Sequence, residues 1–252
     1  MKRMLSAYAA LAIAFLHAPL AVLILFSLNS SRFTVWEGFS LRWYRAAAQD
    51  PQLSDGLINS AIIAIAAAIL STLIGTFTAY GIWRRADRVL SGSLYLSLVT
   101  PEIVTGVALL ALFQGAFRFL HLRLGLWTVI IAHVAFSIAY VAIVISARLR
   151  SYDRTLEEAA MDLGAGEWHA FTRVTLPAIA PAIAAAGLLA LVVSFDDYVI
   201  TSLVAGVDSQ TLPMVIYAMA RRGVSPVVNA VSALIVVGFG AIIMLSQRLQ
   251  ER

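Results

Sequence analysis

Cysteine is absent from this 252-residue chain, and lysine occurs once, as Lys2. Without cysteine there is no disulfide framework, no thiolate metal site and no cysteine nucleophile. A phosphate-cradling G-x-x-x-x-G-K-[ST] loop needs a lysine that the chain does not have after Lys2, so it cannot hydrolyse ATP by that route. His17, His121, His133 and His169 form no H-E-x-x-H pair, and no G-x-S-x-G elbow is present. Nothing recommends an enzyme, and no metal site, cofactor or catalytic residue is predicted. Charge is scarce altogether: 13% of residues are Asp, Glu, Lys or Arg against 61% hydrophobic, and the mean hydropathy is +0.87. Such usage lies outside that of soluble domains and belongs to a membrane protein. The net charge of +4 does not point to nucleic acid, because the arginines fall mainly between apolar runs, where membrane topology explains them.

What is there in quantity is long charge-free sequence. Crossing a hydrocarbon core of roughly 30 Å takes about 20 apolar residues. Residues 4–31, 56–83, 124–147, 174–195 and 223–247 contain no Asp, Glu, Lys or Arg, and 89–117 is broken only by Glu102. The expectation is an all-α, integral membrane chain of one domain. Its six spans fall at about 4–28, 57–82, 92–117, 126–147, 178–200 and 227–247. The first run follows Lys2 and Arg3 like a signal peptide, yet it continues past Pro19 to Leu28 and ends without a small-residue cleavage site. It reads as a retained span kinked at Pro19. Six spans put both termini on one side. That side holds eleven Lys and Arg (Lys2 and Arg3, Arg84, Arg85 and Arg88, Arg148, Arg150, Arg154 and Arg173, Arg248 and Arg252) against seven on the other, so both termini are expected in the cytoplasm.

One cytoplasmic stretch, 148–177, breaks the apolar pattern. Thr155 followed by Glu158 has the spacing of a capping box, which starts a short helix near Leu156. Leu156, Ala160 and Leu163 share its face, and Gly164 is placed to end it in the left-handed conformation. A second short helix is expected from Glu167 to Val174, with Trp168, Phe171 and Thr175 on one side and Leu176-Pro177 opening the next span. On physics alone this is either a pair of amphipathic helices lying on lipid or a docking piece.

The order Glu158-Ala159-Ala160, Gly164, Val174, Leu176-Pro177 resembles the signature loop of binding-protein-dependent ABC importer permeases, with Val174 where isoleucine is commoner. Further stretches resemble the polyamine transport permeases: Ala18-Pro19, Phe26-Ser27-Leu28-Asn29-Ser30-Ser31, Trp43-Tyr44, Pro101 to Gly106, His133 to Arg150, Ser194-Phe195-Asp196-Asp197, Thr211-Leu212-Pro213, and Gly223 to Pro226 with Asn229-Ala230. The resemblance covers nearly the whole chain. It implies a permease of the type I importer kind, with Glu158, Ala159, Ala160 and Gly164 contacting an ATP-binding subunit and Leu176 and Pro177 closing the motif. It also implies partners: a second permease subunit in a heterodimer, two ATP-binding subunits and an extracytoplasmic polyamine-binding protein, around a cargo such as putrescine or spermidine.

A substrate path is sought among polar groups inside spans, where a carboxylate is costly unless it meets water or a partner. Glu102 is the clearest, about nine residues into span three and next to the helix-bending Pro101. It either lines the path or pairs with a neighbouring helix. Asp196 and Asp197 fall near the outer mouth of span five; consecutive helical residues differ by about 100°, so one faces the lumen and the other a neighbour, unless both merely cap the helix. His133, Ser137 and Tyr140 share a face of span four, and the Tyr140 ring offers a cation-π surface, interhelical hydrogen bonding being the plainer role. Ala67, Ser71, Gly75 and Ala79 make a close-packing stripe, against this chain or a partner permease, and Trp36, Phe39, Trp43 and Tyr44 suit an interfacial belt. The alternatives are an importer permease for another solute, or a secondary transporter using Glu102 and Asp196 as cation sites.

Overall fold

The computed structural model describes residues 2–33, 35–120, 123–223 and 225–250; of the residues singled out above, His121, Val224 and Arg252 lie outside these. The described residues are helical, with one isolated β-bridge between Asn29 and Phe39. In chain order the helices are α1 (Lys2–Ser27), α2 (Arg42–Ala48), α3 (Pro51–Arg85), α4 (Arg88–Val99), α5 (Glu102–Leu120) and α6 (Leu126–Arg150). They continue with α7 (Thr155–Asp162), α8 (Glu167–Ala170), a π turn (Phe171–Thr175), α9 (Leu176–Asp196), α10 (Val199–Val204), α11 (Leu212–Arg221) and α12 (Pro226–Gln250). Among the described residues four helices are long and apolar enough to cross a membrane, or five if α4 and α5 are one bent span. The chain falls into two compact units, 1–54 with 215–252, and 55–214.

In the first unit α12 packs on both α1 and α2. The turn after α1 is organised by Asn29, whose amide donates to the Val35 carbonyl at 2.8 Å and accepts from the Glu37 N–H at 3.1 Å. Trp43 is buried and its indole N–H donates to the Asn29 carbonyl at 2.8 Å, while the Tyr44 and Ser27 hydroxyls meet at 2.6 Å. These two aromatics therefore fasten α2 to the end of α1, while Trp36 and Phe39 are exposed. A buried indole N–H usually finds a hydrogen-bond partner, as it does here.

The second unit is built around α6, whose apolar window is 56% buried, against 0% for α1. Ala142, Ile145 and Leu149 of α6 pack with Ala79 of α3 and Ile179, Ala186 and Ala190 of α9. Small side chains here let helix backbones approach closely, the main source of attraction between helices where lipid is as apolar as the core. The stripe of Ala67, Ser71, Gly75 and Ala79 is filled from within the chain: a Cβ on Gly75 would lie 2.6 Å from Val141 Cγ1. A second cluster joins Ile63, Phe113, Val129, Ile130, Ile200 and Val204.

Two expected helices are interrupted. Span three is not one bent helix: α4 ends at Val99, Thr100 is extended at φ −66° and ψ 126°, and α5 leaves at 107° to α4. The residue before a proline is driven out of the α region and proline gives no N–H, so Thr100-Pro101 breaks the helix completely. Glu102 is consequently the first residue of a helix, not a mid-helix carboxylate. Span five ends at Asp196; Asp197 is extended, and its carboxylate accepts the N–H groups of Ile200 at 3.3 Å and Thr201 at 2.7 Å, capping α10.

Candidate functional site

Both breaks face the same space. A cavity of about 380 Å³ in the second unit is lined by Ser97 and Leu98 of α4, Glu102 and Thr105 of α5, Phe136 and Tyr140 of α6, Val192, Val193 and Asp196 of α9, and Asp197 to Ile200. Glu102, Tyr140, Asp196 and Asp197, separated by up to 95 positions in the chain, are thus brought together. Glu102 and Asp196 are exposed to the cavity, and no Lys, Arg or His stands among its described lining residues. The last turns of α4 and α9 also end here, and a helix C-terminus carries partial negative charge. The space suits a small cation, with the Phe136 and Tyr140 rings, 6.4 Å apart and edge to face, able to hold ammonium groups.

Asp197 behaves differently from Asp196. Its side chain is 6% exposed and turned into a buried cluster, with His133 Nε2 at 3.4 Å and the Thr201 hydroxyl donating to it at 2.7 Å. His133 is fully buried, bridging Ser194 Oγ at 2.7 Å and Thr201 Oγ1 at 2.9 Å. The neighbouring carboxylates therefore part ways: one opens on the cavity, one knits α6, α9 and α10 together. Ser137 is buried, whereas Tyr140, a turn further on, reaches the cavity.

At the other end of this unit, α7 does not begin with a capping box. Thr155 lies inside the helix, and its N–H and hydroxyl donate to Asp153 Oδ1 at 3.0 and 2.8 Å. The Thr155 hydroxyl and N–H hold the Asp153 carboxyl below its usual range. The Thr155 hydroxyl is thus spent on Asp153, the Glu158 N–H bonds the Arg154 carbonyl at 3.1 Å, and the Glu158 side chain pairs with Arg154 at 3.3 Å instead. The helix end follows expectation: Gly164 has φ +91°, its N–H bonds the Met161 carbonyl at 2.9 Å, and the Ala165 N–H bonds the Ala160 carbonyl at 3.1 Å. This paired closure uses a glycine because other residues resist that backbone conformation. Glu158, Ala159, Gly164 and Pro177 are exposed, and Ala160 and Leu176 half-buried. Of the residues expected to share a face, Leu163 is 91% exposed, Leu156 is exposed and Ala160 is half-buried.

The residue that faces inward is Glu157, 1% exposed, which the sequence pattern did not single out. It is paired with Arg84 at the end of α3 and accepts from the Tyr80 hydroxyl at 2.7 Å and the Thr175 hydroxyl at 2.9 Å. The signal that could have found it was the adjacency of two glutamates: on a helix they point about 100° apart, so only one can look away from the bundle. Of the three residues expected on one side of the second short helix, Phe171 and Thr175 are buried and Trp168 is exposed, and the helix passes into a π turn at Phe171.

Residues 71–252 match the family of binding-protein-dependent transport system inner membrane components. The chain belongs to this family. It is a permease subunit of an ABC importer, a multi-pass protein of the inner membrane and not itself an enzyme. Over 250 residues it is 40% identical to the putrescine transport system permease protein PotI of Escherichia coli, covering 94% of this chain and 89% of that one. Over 243 residues it is 36% identical to the spermidine/putrescine transport system permease protein PotC of Haemophilus influenzae, covering 95% and 93%. Two solved structures share the fold. One is a bacterial ABC transporter involved in the import of the acidic polysaccharide alginate, with TM-score 0.70 and 15% identity over 99% of this chain and 95% of that chain. The other is an amino acid ABC transporter, with TM-score 0.57 and 21% identity over 83% and 99%. A permease of this family works with a partner permease, an ATPase and a substrate-binding protein, so the exposed surface of the 155–177 loop belongs to a chain that is one part of a larger machine.

Proposed function

We propose that this permease carries short aliphatic di- and polyamines, putrescine or spermidine, inward across the cytoplasmic membrane. The observation that carries the reading is the cavity, where Glu102 and Asp196 meet aromatic rings and no basic side chain stands among the described lining residues. A diammonium chain offers the complement: charge for the carboxylates and methylenes for Val192, Val193 and the ring faces. The relatives named for putrescine and for spermidine/putrescine support the same cargo.

In this reading Glu158, Ala159, Ala160 and Gly164 meet an ATP-binding subunit, with Leu176 and Pro177 leading into α9. Asp197 and Tyr140 complete the path walls. The excess of Lys and Arg on the side of the 148–177 loop supports cytoplasmic termini. The complete importer is a heterodimer of this chain with a second permease, two ATP-binding subunits and an extracytoplasmic polyamine-binding protein. ATP closes the ATPase pair, the loop moves with it, and the spans exchange outward for inward access, an equilibrium biased by ligands at both ends.

The test is uptake of labelled putrescine and spermidine into proteoliposomes holding the whole importer, with loaded binding protein outside and ATP or a non-hydrolysable analogue inside. Uptake that requires hydrolysable ATP is expected. Uptake of amines without ATP, driven by an ion gradient, would instead favour a secondary transporter. ATP hydrolysis stimulated only by another solute would transfer the same engine to that cargo.

A further inference from the structure

Glu157 draws together two elements besides its own, α3 and the π turn. One carboxylate oxygen takes the Arg84 guanidinium and the Tyr80 hydroxyl of α3, and the other takes the Thr175 hydroxyl just before α9. The second arm of Arg84 reaches Glu167 of α8 at 2.8 Å. A single guanidinium at the end of α3 thus holds both short helices of the loop, while Phe171 packs 4.4 Å from the Tyr80 ring beside it.

A buried ion pair of this kind adds little stability over a well-packed apolar substitute. What it supplies is direction. Apolar contacts resist approach but let helices slide, whereas a forked guanidinium with two carboxylates fixes orientation and passes on both push and pull. From α3 the path runs onward, because Gly75 of α3 lies against Val141 and Ala142 of α6, and α6 carries the cavity residues Phe136 and Tyr140.

We infer that the Arg84–Glu157 pair is the linkage by which movement of the 155–175 loop reaches α3 and, through it, the cavity. Glu157 and Arg84 are positioning residues, distinct from the exposed Glu158 and Gly164. The inference rests on the reading that this loop meets the ATP-binding subunit.

The experiment uses the complete reconstituted importer and three readouts: co-purification of the ATPase, stimulation of ATP hydrolysis by loaded binding protein, and amine uptake. Glu157→Gln keeps the shape and removes the charge; Arg84→Lys keeps the charge and removes the fork. Both are expected to retain the ATPase, while stimulation and uptake fall together by about tenfold in Glu157→Gln and by less in Arg84→Lys. Retained ATPase with full stimulation overturns the linkage. Loss of the ATPase from Glu157→Gln also overturns it, since the pair would then only shape the docking surface. Should Glu157→Gln fail to reach the membrane, the exposed Glu167→Gln decides: partial loss of stimulation with ATPase bound supports the linkage, and no change overturns it. Gly164→Trp separates the two levels, because an ATPase that still co-purifies with that variant removes the docking reading itself.

Discussion

His133 Nε2 lies 3.4 Å from the Asp197 carboxylate, so a fully buried imidazole on α6 closes the break between α9 and α10. Asp197 is held there by His133, the Thr201 hydroxyl, and the N–H groups of Ile200 and Thr201. The next residue back, Asp196, is left facing the cavity.

Removing the imidazole while the carboxylate stays buried should be costly. His133→Ala removes two buried hydrogen bonds and leaves the Ser194 and Thr201 hydroxyls short of a partner, an expected loss of about 3 kcal/mol. Ser194→Ala removes one hydroxyl bond and should cost about 1 kcal/mol. Thermal unfolding of the purified importer in detergent separates the two, and equal melting temperatures would contradict the cluster's role.

Glu102→Gln and Asp196→Asn test the cavity without touching that cluster. Each removes a charge-assisted contact worth about 1.5 to 3 kcal/mol, so the maximal uptake rate should fall by about 10- to 100-fold. Melting temperature and ATPase co-purification should stay at wild-type values. Uptake at saturating binding protein is the measurement, and unchanged uptake in both variants would clear these carboxylates from the path.

A methyl group added at Gly164 would find no neighbour within 4 Å, so an alanine there meets only its own backbone at φ +91°. Gly164→Ala should cost about 1 to 2 kcal/mol and retain the ATPase. Gly164→Trp puts the same strain under a bulky exposed ring and should abolish ATPase capture and uptake while the chain remains in the membrane. Co-purification from detergent extracts distinguishes the pair.

Gly206 illustrates the opposite case. A Cβ there would overlap the backbone of Leu124 and Gly125, which cannot retreat as a flexible side chain does. Gly206→Ala should lower the melting temperature markedly, with a loss of about 3 kcal/mol of stability if the loop cannot shift. Gly115→Ala, in open space on α5, should be neutral or slightly stabilising. The same thermal assay checks both.

The helices themselves were legible because charge-free runs of about 20 residues admit few structures in a membrane. Gly164 was legible for a similar reason, since a glycine after an amphipathic run has one common use. Glu102, Tyr140 and Asp196 stood out as polar groups in apolar surroundings, and the fold gathers them in one cavity. Other features depended on tertiary neighbours. Which of Glu157 and Glu158 turns inward was decided by Arg84, 73 residues away, and the burial of Trp43 depended on the Asn29 carbonyl that receives its indole N–H. The stop at Asp196 was hidden because an aspartate that caps one helix and an aspartate that lines another look alike in sequence. The π turn had no local marker at all.

That π turn, Phe171–Thr175, gives the segment between α8 and α9 a surplus of chain. A π turn closes its hydrogen bonds over one residue more than an α turn. Deleting a single residue within it can therefore tighten the turn to α while both flanking helices keep their places, whereas a deletion in the straight run of α9 rotates everything beyond it by about 100°. In the stretch joining loop to span, the loss of one residue would be absorbed without turning Asp196 away from the cavity.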